Sequence, residues 1–300
     1  MLWCAGDLCI KMTDGNSKLW AIVFTIIITL SISLGILWHK QDKNIEFKYE
    51  IYDKVKDFEP PAVDNKSENI SPSKDDSRAN VKRVAIIIDD LGWNKESADA
   101  LLNIDAPISF AILPHLPFSK IIADKAGLKN RDVLLHLPME PYGYSHKDTG
   151  IKPLTDDMNK NDMESLIKDY ISEIPHIVGI NNHMGSKFTE NERGMRYVME
   201  ILKDKNLFFV DSFTTPKSLA YQTAKASGVK TARRRVFLDN EEDEEYIKGQ
   251  IEKLIALAQK DNTAIGIGHP HPQTINALQK MVPLMKENGI EIVPVSELVN

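Results

Sequence analysis

A short apolar run that ends in two carboxylates constrains the fold of this chain more than any other feature. The run extends from Val84 to Ile88 and leads directly into Asp89 and Asp90, with Gly92 behind them. Apolar, mostly β-branched residues without polar alternation indicate a strand buried on both faces of a parallel sheet. In α/β folds, ligands bind at the carboxyl ends of such strands. The acid pair is therefore a candidate for metal binding or proton transfer, although a helix cap beside a solvated acid is the simpler alternative.

Short apolar runs alternate with longer segments of helical periodicity over residues 81–300. One such segment carries Met163, Ile167, Tyr170 and Ile174, at the spacing of a helix that packs one face on a core. The predicted strands are 83–89, 107–113, 132–138, 177–183, 207–211, 229–238, 263–268 and 290–295. This alternation predicts an α/β fold with a parallel barrel of seven or eight units, and an open doubly wound sheet is the alternative.

Charge argues against one class of protein, and cysteine content excludes two kinds of site. The formal net charge is -6 at pH 7, which argues against nucleic-acid binding because that function needs a basic face. Cys4 and Cys9 are the only cysteines in the 300 residues. A disulfide framework and a thiolate metal site are therefore excluded for the predicted barrel.

Residues 19–38 form an uncharged stretch rich in Ile, Leu and Val, with Trp20 and Trp38 near its ends. Twenty residues at about 1.5 Å rise match a hydrocarbon core of about 30 Å, and tryptophan favours its edges. We therefore predict an N-terminal tail at 1–18, a transmembrane signal anchor at 19–38, a flexible, disordered linker at 39–80 and the barrel domain at 81–300. The flanking lysines would place the barrel in the cytoplasm, whereas large translocated domains often escape that rule.

Polar side chains cluster where the predicted strands end. Five of the eight histidines lie there, namely His115, His136, His183, His269 and His271. Because a barrel brings the carboxyl ends of its strands to one rim, we expect these side chains to converge. Imidazoles and carboxylates without thiolates are typical of a Zn²⁺ or similar divalent site with an open position for water. Such a site suits hydrolysis, with a second carboxylate taking the proton of the water and a histidine protonating the leaving group.

Three other polar features have simpler interpretations. Asp211 is as well suited to capping the turn after its strand as to a functional role. Strand alternation puts Arg233 and Arg235 on one face and Arg234 on the other, which favours a solvated strand over an anion site. The acidic run at 241–245 is explained by the solvated first turn of a helix.

Five segments of the chain, taken in order, resemble one known family. They are IIIDDLG at 86–92, LHLPMEP at 135–141, GINNHMGS at 179–186, VDS at 210–212 and IGHPHP at 267–272. Together they are similar to the divergent polysaccharide deacetylase family, a branch of the NodB-like glycoside hydrolase/deacetylase superfamily, over residues 82–300. The resemblance implies a distorted (β/α)7 barrel and metal-dependent removal of acetyl groups from N-acetylated sugars.

The same resemblance implies roles for individual residues. Asp89 resembles the general base and Asp90 the metal-binding aspartate of the paired-acid motif. His136 resembles the first histidine of the next metal motif. His269 resembles the histidine that acts as general acid, and His271 is the other candidate for that role.

The chain departs from the family pattern at two places. Ordinary polysaccharide deacetylases carry two histidines four residues apart, whereas Glu140 stands four residues after His136. Either Glu140 or His183 completes the metal site, and we favour His183 because a rim imidazole is a commoner zinc ligand than a carboxylate beside a proline. An expected arginine-proline-tyrosine segment is replaced by 181–186, which leaves the substrate and the reaction open. The residues assigned to substrate binding are Glu140, Asn181, Ser186, Asp211 and His271.

The leading hypothesis is a hydrolase of the inner membrane, anchored by 19–38, with a barrel on the periplasmic side. It would use a divalent metal, with Zn²⁺ as the expected ion, to remove acetyl groups from an N-acetylated envelope glycan. A catalytically inactive envelope protein that binds glycan or a protein partner is the alternative. Hydrolysis of another bond, such as a phosphoester, would use the same metal, because fold alone does not decide the reaction.

Overall fold

The computed structural model of this protein describes residues 2–5, 8–11, 81–145 and 150–300. Near the N-terminus, β1 (Leu2–Ala5) and β2 (Leu8–Lys11) pair as antiparallel strands. The predicted membrane span at 19–38 and the predicted linker at 39–80 lie outside the described residues. No helix among the described residues has both the length and the apolar character needed to cross a membrane.

Strands and helices alternate from residue 82 to the end of the chain. The strands are β3 (Lys82–Leu91), β4 (Ser109–Ile112), β5 (Val133–Met139), β6 (Ile177–Met184), β7 (Phe208–Asp211), β8 (Thr231–Arg233), β9 (Val236–Phe237), β10 (Thr263–Gly268) and β11 (Ile290–Ile292). The helices are α1 (Lys95–Leu102), α2 (Ser119–Leu128), α3 (Lys160–Glu173), α4 (Glu192–Asp204), α5 (Ala220–Ser227), α6 (Glu244–Asp261) and α7 (Pro272–Glu287).

The strands form one curled parallel sheet in the order β8-β7-β6-β5-β4-β3-β10-β9, with β11 paired to β3 outside that path. The segment predicted as one strand at 229–238 is two short strands. Between them, the N–H of Arg234 donates to the carbonyl of Asp211 at 3.0 Å, and the N–H of Arg235 donates to the carbonyl of Ile265 at 2.8 Å. This segment therefore bridges both ends of the strand order, as expected for a (β/α)7 barrel.

Alternate residues of β3 enter two separate apolar cores, which explains its uninterrupted apolar run. Ala85 and Ile87 pack with side chains from other strands in a small inner cluster. Val84, Ile86 and Ile88 pack in a larger outer cluster that includes the helices. All five side chains are fully buried. Every second residue of a strand points to the inner cluster. The next residue of that alternation at the carboxyl end of the strand therefore lies at the rim of the barrel.

Candidate functional site

Strand alternation carries polar side chains to the top of the inner core. On β3, Asp89 is the next residue on the same side as Ala85 and Ile87, and on β5 His136 follows Leu134 in the same way. Ala85, Ile87 and Leu134 belong to the inner cluster. On β10, His269 follows Ile265 and Ile267 in the same way. Asn181 of β6 pairs in register with His136. The period of two thus brings residues from four strands to one place.

Asp90 joins them through a local irregularity of the backbone. By alternation its side chain would point to the helices, but the pairing of β3 with β4 shifts register between Ile88 and Leu91. Asp90 itself has φ of 56°, in the left-handed region that few residues other than glycine adopt. Such bulges re-aim side chains beside functional sites, and this one turns the Asp90 carboxylate toward β6.

Three potential metal ligands meet at this point. Asp90 Oδ1 lies 2.8 Å from Nδ1 of His183 and 3.2 Å from Nε2 of His136. The two imidazole nitrogens are 3.2 Å apart. One ligand atom from each residue falls within 4.8 Å of the other two, so a single ion can contact all three. Two imidazoles and a carboxylate that leave one position open are a typical ligand set for catalytic zinc.

Two further observations fit a cation at this cluster. Asp90 Oδ1 is a buried acceptor that no protein donor in the described part of the chain satisfies with hydrogen-bond geometry. His136 Nδ1 lies 2.8 Å from Oδ1 of Asn181, an acceptor, so a neutral ring carries its proton on Nδ1 and offers the lone pair of Nε2 to the cluster. Burial opposes ionisation of Asp90, yet the charge of His183 and the contact with His136 hold its pKa well below the usual value. Asp90 is therefore a carboxylate, as a ligand must be.

Asp89 stands beside the cluster without belonging to it. Its Oδ1 accepts a hydrogen bond from Nδ2 of Asn181 at 2.7 Å, and its Oδ2 lies 3.6 Å from Nε2 of His136. Burial raises the pKa of Asp89, against the opposing charges of His136 and His269. A fixed carboxylate with a raised pKa is suited to accept a proton.

A family model described as divergent polysaccharide deacetylase matches residues 86–299. The chain belongs to the divergent polysaccharide deacetylase family. This confirms the resemblance inferred from the five sequence segments.

Relatives of this chain occur in Escherichia coli and Haemophilus influenzae. The uncharacterized protein YibQ of Escherichia coli is 39% identical over 218 residues, which are 73% of this chain and 67% of YibQ. An uncharacterized protein of Haemophilus influenzae is 36% identical over 66% of this chain and 70% of its own length. The crystal structure of an uncharacterized protein from Agrobacterium tumefaciens C58 matches with a TM-score of 0.71 and 25% identity, over 74% of this chain and 91% of that one.

In this protein, His269 lies across the cluster from Asp89 and is held by a buried carboxylate. Its Nδ1 is 3.0 Å from Oδ1 of Asp239, and its backbone N–H donates to Oδ2 of Asp239 at 2.5 Å. The ring stacks on Phe237 with centroids 5.6 Å apart. Nε2 faces the cluster at 4.0 Å from Oδ2 of Asp90. Burial lowers the pKa of His269, but the charge and hydrogen bond of Asp239, with the charges of Asp90 and Asp89, outweigh it and raise the pKa to about 9.

Among the described residues, His271, the other candidate acid, makes no hydrogen bond or ion pair with Asp89 or Asp90 and lies beside Glu242. It caps α7, and its Nδ1 lies 3.7 Å from Glu242, a residue of the acidic run. Its ring is tilted against that of His269 at 5.8 Å. The geometry therefore puts His269 nearer the acid pair than His271.

Four predicted substrate residues have their polar atoms engaged within the protein. Glu140 accepts hydrogen bonds from Lys187 Nζ at 2.6 Å and from the backbone N–H of Asp156 at 2.9 Å, so it stays outside the metal cluster. Ser186 accepts a bond from the backbone of Tyr142. Asp211 is fully buried and accepts bonds from the 213–221 segment, which is the capping alternative. The fourth, Asn181, bridges Asp89 and His136 as described above.

Two other predictions, for His115 and for the segment 229–238, differ from the structure. His115 does not join the other rim histidines, because its Nε2 lies 2.8 Å from Asp169 and its ring rests edge-on against Tyr170 of α3. The interpretation of 229–238 as a solvated strand is wrong at Arg234. That side chain is buried, and its guanidinium donates to the carbonyls of Ser212 and Phe213.

Asp239 is the residue that sequence reasoning missed. It lies two residues after β9, at the carboxyl end of a strand like the other polar residues of the site. Its position after a strand could therefore have identified it. The prediction of one strand over 229–238, where the structure has two, placed the end of that strand at the wrong residue.

Proposed function

We propose that this protein is a metal-dependent hydrolase that removes acetyl groups from an N-acetylated envelope glycan. The observation that carries the proposal is the convergence of Asp90, His136 and His183 on one point, with Asp89 and His269 on either side of it. Zn²⁺ is the ion we propose, because two imidazoles and one carboxylate are a set that zinc favours. Membership of a deacetylase family supports an amide as the bond that is cleaved.

The residues of the chain divide the work of hydrolysis. Asp90, His136 and His183 would hold the ion, which when bound would lower the pKa of a water and polarise the amide carbonyl. Asp89 takes a proton from the attacking water at Oδ2, since its Oδ1 is held by Asn181. Asn181 therefore positions both the base and the ring of His136.

His269 completes the reaction as the acid. A pKa of about 9 keeps its Nε2 protonated at neutral pH, so a proton is ready for the nitrogen of the leaving sugar. Asp239 holds the opposite ring nitrogen and thereby orients the ring. Acetate and a free amine are the products, with one proton taken by Asp89 and one supplied by His269.

The proposal includes a place in the cell. A helix at 19–38 would anchor the chain in the inner membrane, and the barrel would work on the periplasmic side, where envelope glycans are found. A flexible linker of the length of 39–80 spans roughly 35 Å, which keeps the site close to the membrane surface.

Metal content and acetate release test the proposal together. The full chain is purified in detergent without chelator or a histidine-rich tag, and metal is measured by elemental analysis beside acetate release from N-acetylglucosamine polymers. We expect about one equivalent of divalent metal per chain. Asp90→Ala and His183→Ala should lose both the metal and acetate release.

His115→Ala is the matched control, because it removes an imidazole that lies outside the cluster. It should keep the metal and the activity. Full metal retention in both Asp90→Ala and His183→Ala would contradict the metal site. Absence of metal, even after reconstitution, would favour the inactive glycan-binding protein, and a full complement of metal without acetate release would favour hydrolysis of another bond.

A further inference from the structure

The two residues that join β8 to β9 include a buried arginine, Arg234, which is only 7% exposed. Its Nε donates to the carbonyl of Ser212 at 2.7 Å, and its Nη2 donates to the carbonyl of Phe213 at 2.9 Å. A buried guanidinium is costly unless its N–H groups find acceptors, and its planar fork suits two successive carbonyls. Arg234 is therefore fixed to the backbone that follows β7.

The same guanidinium stacks on an aromatic ring of β9. Cζ of Arg234 lies 4.2 Å from the ring centroid of Phe237. The ring of Phe237 in turn stacks on the imidazole of His269, with centroids 5.6 Å apart and planes inclined by 12°. A flat cation over an aromatic face is attracted to the ring. Arg234 therefore holds the ring against which the proposed acid rests.

Strand pairing alone does not fix the orientation of the His269 ring. The ring is held at its face by Phe237 and at its edge by Asp239, which belong to β9 and the residues just after it. β9 is two residues long and pairs with β10. On its other side, no ladder joins it to β8 among the described strands. The stack of Arg234 on Phe237 braces β9 across this gap.

The segment to which Arg234 is fixed also contacts the residue that holds the proposed base. Oγ of Ser212 accepts a hydrogen bond from Nδ2 of Asn181 at 3.2 Å. The same Nδ2 donates to Oδ1 of Asp89 at 2.7 Å. A continuous series of contacts therefore joins the base to the acid, and none of its members is a proposed metal ligand. In order, the series is Asp89, Asn181, Ser212, Arg234, Phe237 and His269.

Only an arginine can make both kinds of contact at this place. A lysine would keep the charge and could donate to one carbonyl, but it has neither the fork nor a flat face to stack on Phe237. A methionine would keep the length and leave both carbonyls without this donor. Ser212 and Phe213 are almost fully buried, so the lost hydrogen bonds would not be replaced freely by water.

We propose that Arg234 is a positioning residue that sets the orientation of the His269 ring by holding Phe237 against the 212–213 segment. The inference rests on the proposed function, which gives His269 and Asp89 their roles as acid and base. Arg234 takes no part in proton transfer itself. Its side chain acts on the reaction only through Phe237.

Kinetics of the full chain in detergent give the first test. Arg234→Met should lower kcat for acetate release from N-acetylglucosamine polymers roughly ten- to hundredfold, because a misplacement of about 1 Å can cost about 10²-fold. Arg234→Lys should have a smaller effect in the same direction. KM should change by no more than a few-fold, and the metal content should stay at the wild-type value.

A double-mutant cycle shows whether Arg234 acts through Phe237. Phe237→Leu removes the stacked ring and leaves the donors of Arg234 in place. If the two residues act in series, Arg234→Met combined with Phe237→Leu should lower kcat no further than the more severe single substitution. Losses that multiply in the double variant would overturn the proposal, because Arg234 would then act by another route.

A spectroscopic test reports the position of the ring without turnover. Histidine-selective ¹³C labelling of the full chain gives a Cε1–H signal for His269, which His269→Gln identifies by its loss. The stacked ring of Phe237 shifts this signal. At the acidic plateau of a pH series, Arg234→Met and Arg234→Lys should move it toward its position in Phe237→Leu. If Arg234→Met does not fold, Arg234→Lys decides alone, since it keeps the buried charge.

Arg235→Met is the matched control. Arg235 is the next residue of the same segment, and its guanidinium pairs with Asp261 at 3.0 Å. This variant should leave the His269 signal and kcat at their wild-type values. A wild-type His269 signal in both folded Arg234 variants would overturn the proposal and leave Arg234 as a residue that only closes the barrel.

The positioning role and the proposed hydrolase can fail separately. If the wild type binds no metal and releases no acetate, but the His269 signal moves in the Arg234 variants, the positioning of the ring stands and the hydrolase does not. If metal content and acetate release are normal and neither kcat nor the signal depends on Arg234, the hydrolase stands and the positioning role is overturned.

Discussion

Two groups of side chains at the rim have the same composition and different chemistry. Asp90, His136 and His183 form one group, and Asp239, His269 and His271 form the other, each with one aspartate and two histidines whose ligand atoms lie within 4.8 Å. In the first group, Oδ1 of Asp90 lies 2.8 Å and 3.2 Å from two imidazole nitrogens, but neither contact has hydrogen-bond geometry. In the second, both carboxylate oxygens of Asp239 accept hydrogen bonds. The first arrangement fits a cation, whereas the second holds a proton.

The two groups contain the same kinds of residue and differ in whether the lone pairs of the aspartate oxygens accept hydrogen bonds from the protein. That difference, and not residue type, separates a group that fits a cation from one that fits a proton donor. A metal ligand needs a lone pair that no protein donor occupies, and Asp90 Oδ1 has one. The oxygens of Asp239 are occupied by the ring and backbone of His269 and by the hydroxyl of Thr274. The same contacts stabilise the charged form of His269 and raise its pKa, as the proposed role of acid requires.

Replacement of His269 should have the largest effect that separates the two groups. His269→Gln removes the proposed acid, so kcat for acetate release should fall by roughly 10²–10⁴-fold. The metal content, measured by elemental analysis, should stay at the wild-type value. His271→Gln is the control and should change neither quantity by more than a few-fold. Loss of metal in either variant would show that the second group also binds the ion.

A smaller effect is expected when only the charge of Asp239 is removed. In Asp239→Asn, burial still lowers the pKa of His269, and the largest of the charges that raise it is gone while Asp89 and Asp90 remain. His269 then loses its proton at a lower pH, and the alkaline limb of the kcat/KM profile should move from near pH 9 toward lower pH. Thr274→Ala, which removes one hydrogen bond from Asp239 and leaves its charge, should keep the limb near its original position. An unshifted limb in Asp239→Asn would refute the role of this carboxylate.

The smallest effect should follow replacement of Glu140, the alternative metal ligand. Glu140→Gln weakens a partly exposed ion pair and should lower the free energy of unfolding by about 1 kcal/mol, measured by denaturant titration. The metal content should not change, since Glu140 faces Lys187 and not the cluster. Lys187→Met breaks the same pair from the other side and should have a similar effect on stability. Metal loss in Glu140→Gln comparable to that in His183→Ala would restore Glu140 as a ligand.

The fold was predictable from the sequence wherever the pattern was local. The parallel strands lie within a few residues of the predicted positions, and β10 at Thr263–Gly268 has the predicted bounds. The prediction failed at 229–238, where one apolar segment became two short strands with different neighbours. No local pattern marks that change of partner, because it depends on where β7 and β10 end. The same change buried Arg234 and concealed Asp239.

The sequence by itself determined the parallel α/β fold and the rim at which the polar side chains meet. This was possible because apolar runs and the residues that follow them are local signals. Only the tertiary structure decided which of these side chains meet. His183 reaches Asp90 because a backbone irregularity turns the aspartate toward β6, and Glu140 is kept away by Lys187, a residue 47 positions later. Contacts of this kind depend on distances between strands, which spacing along the chain does not contain.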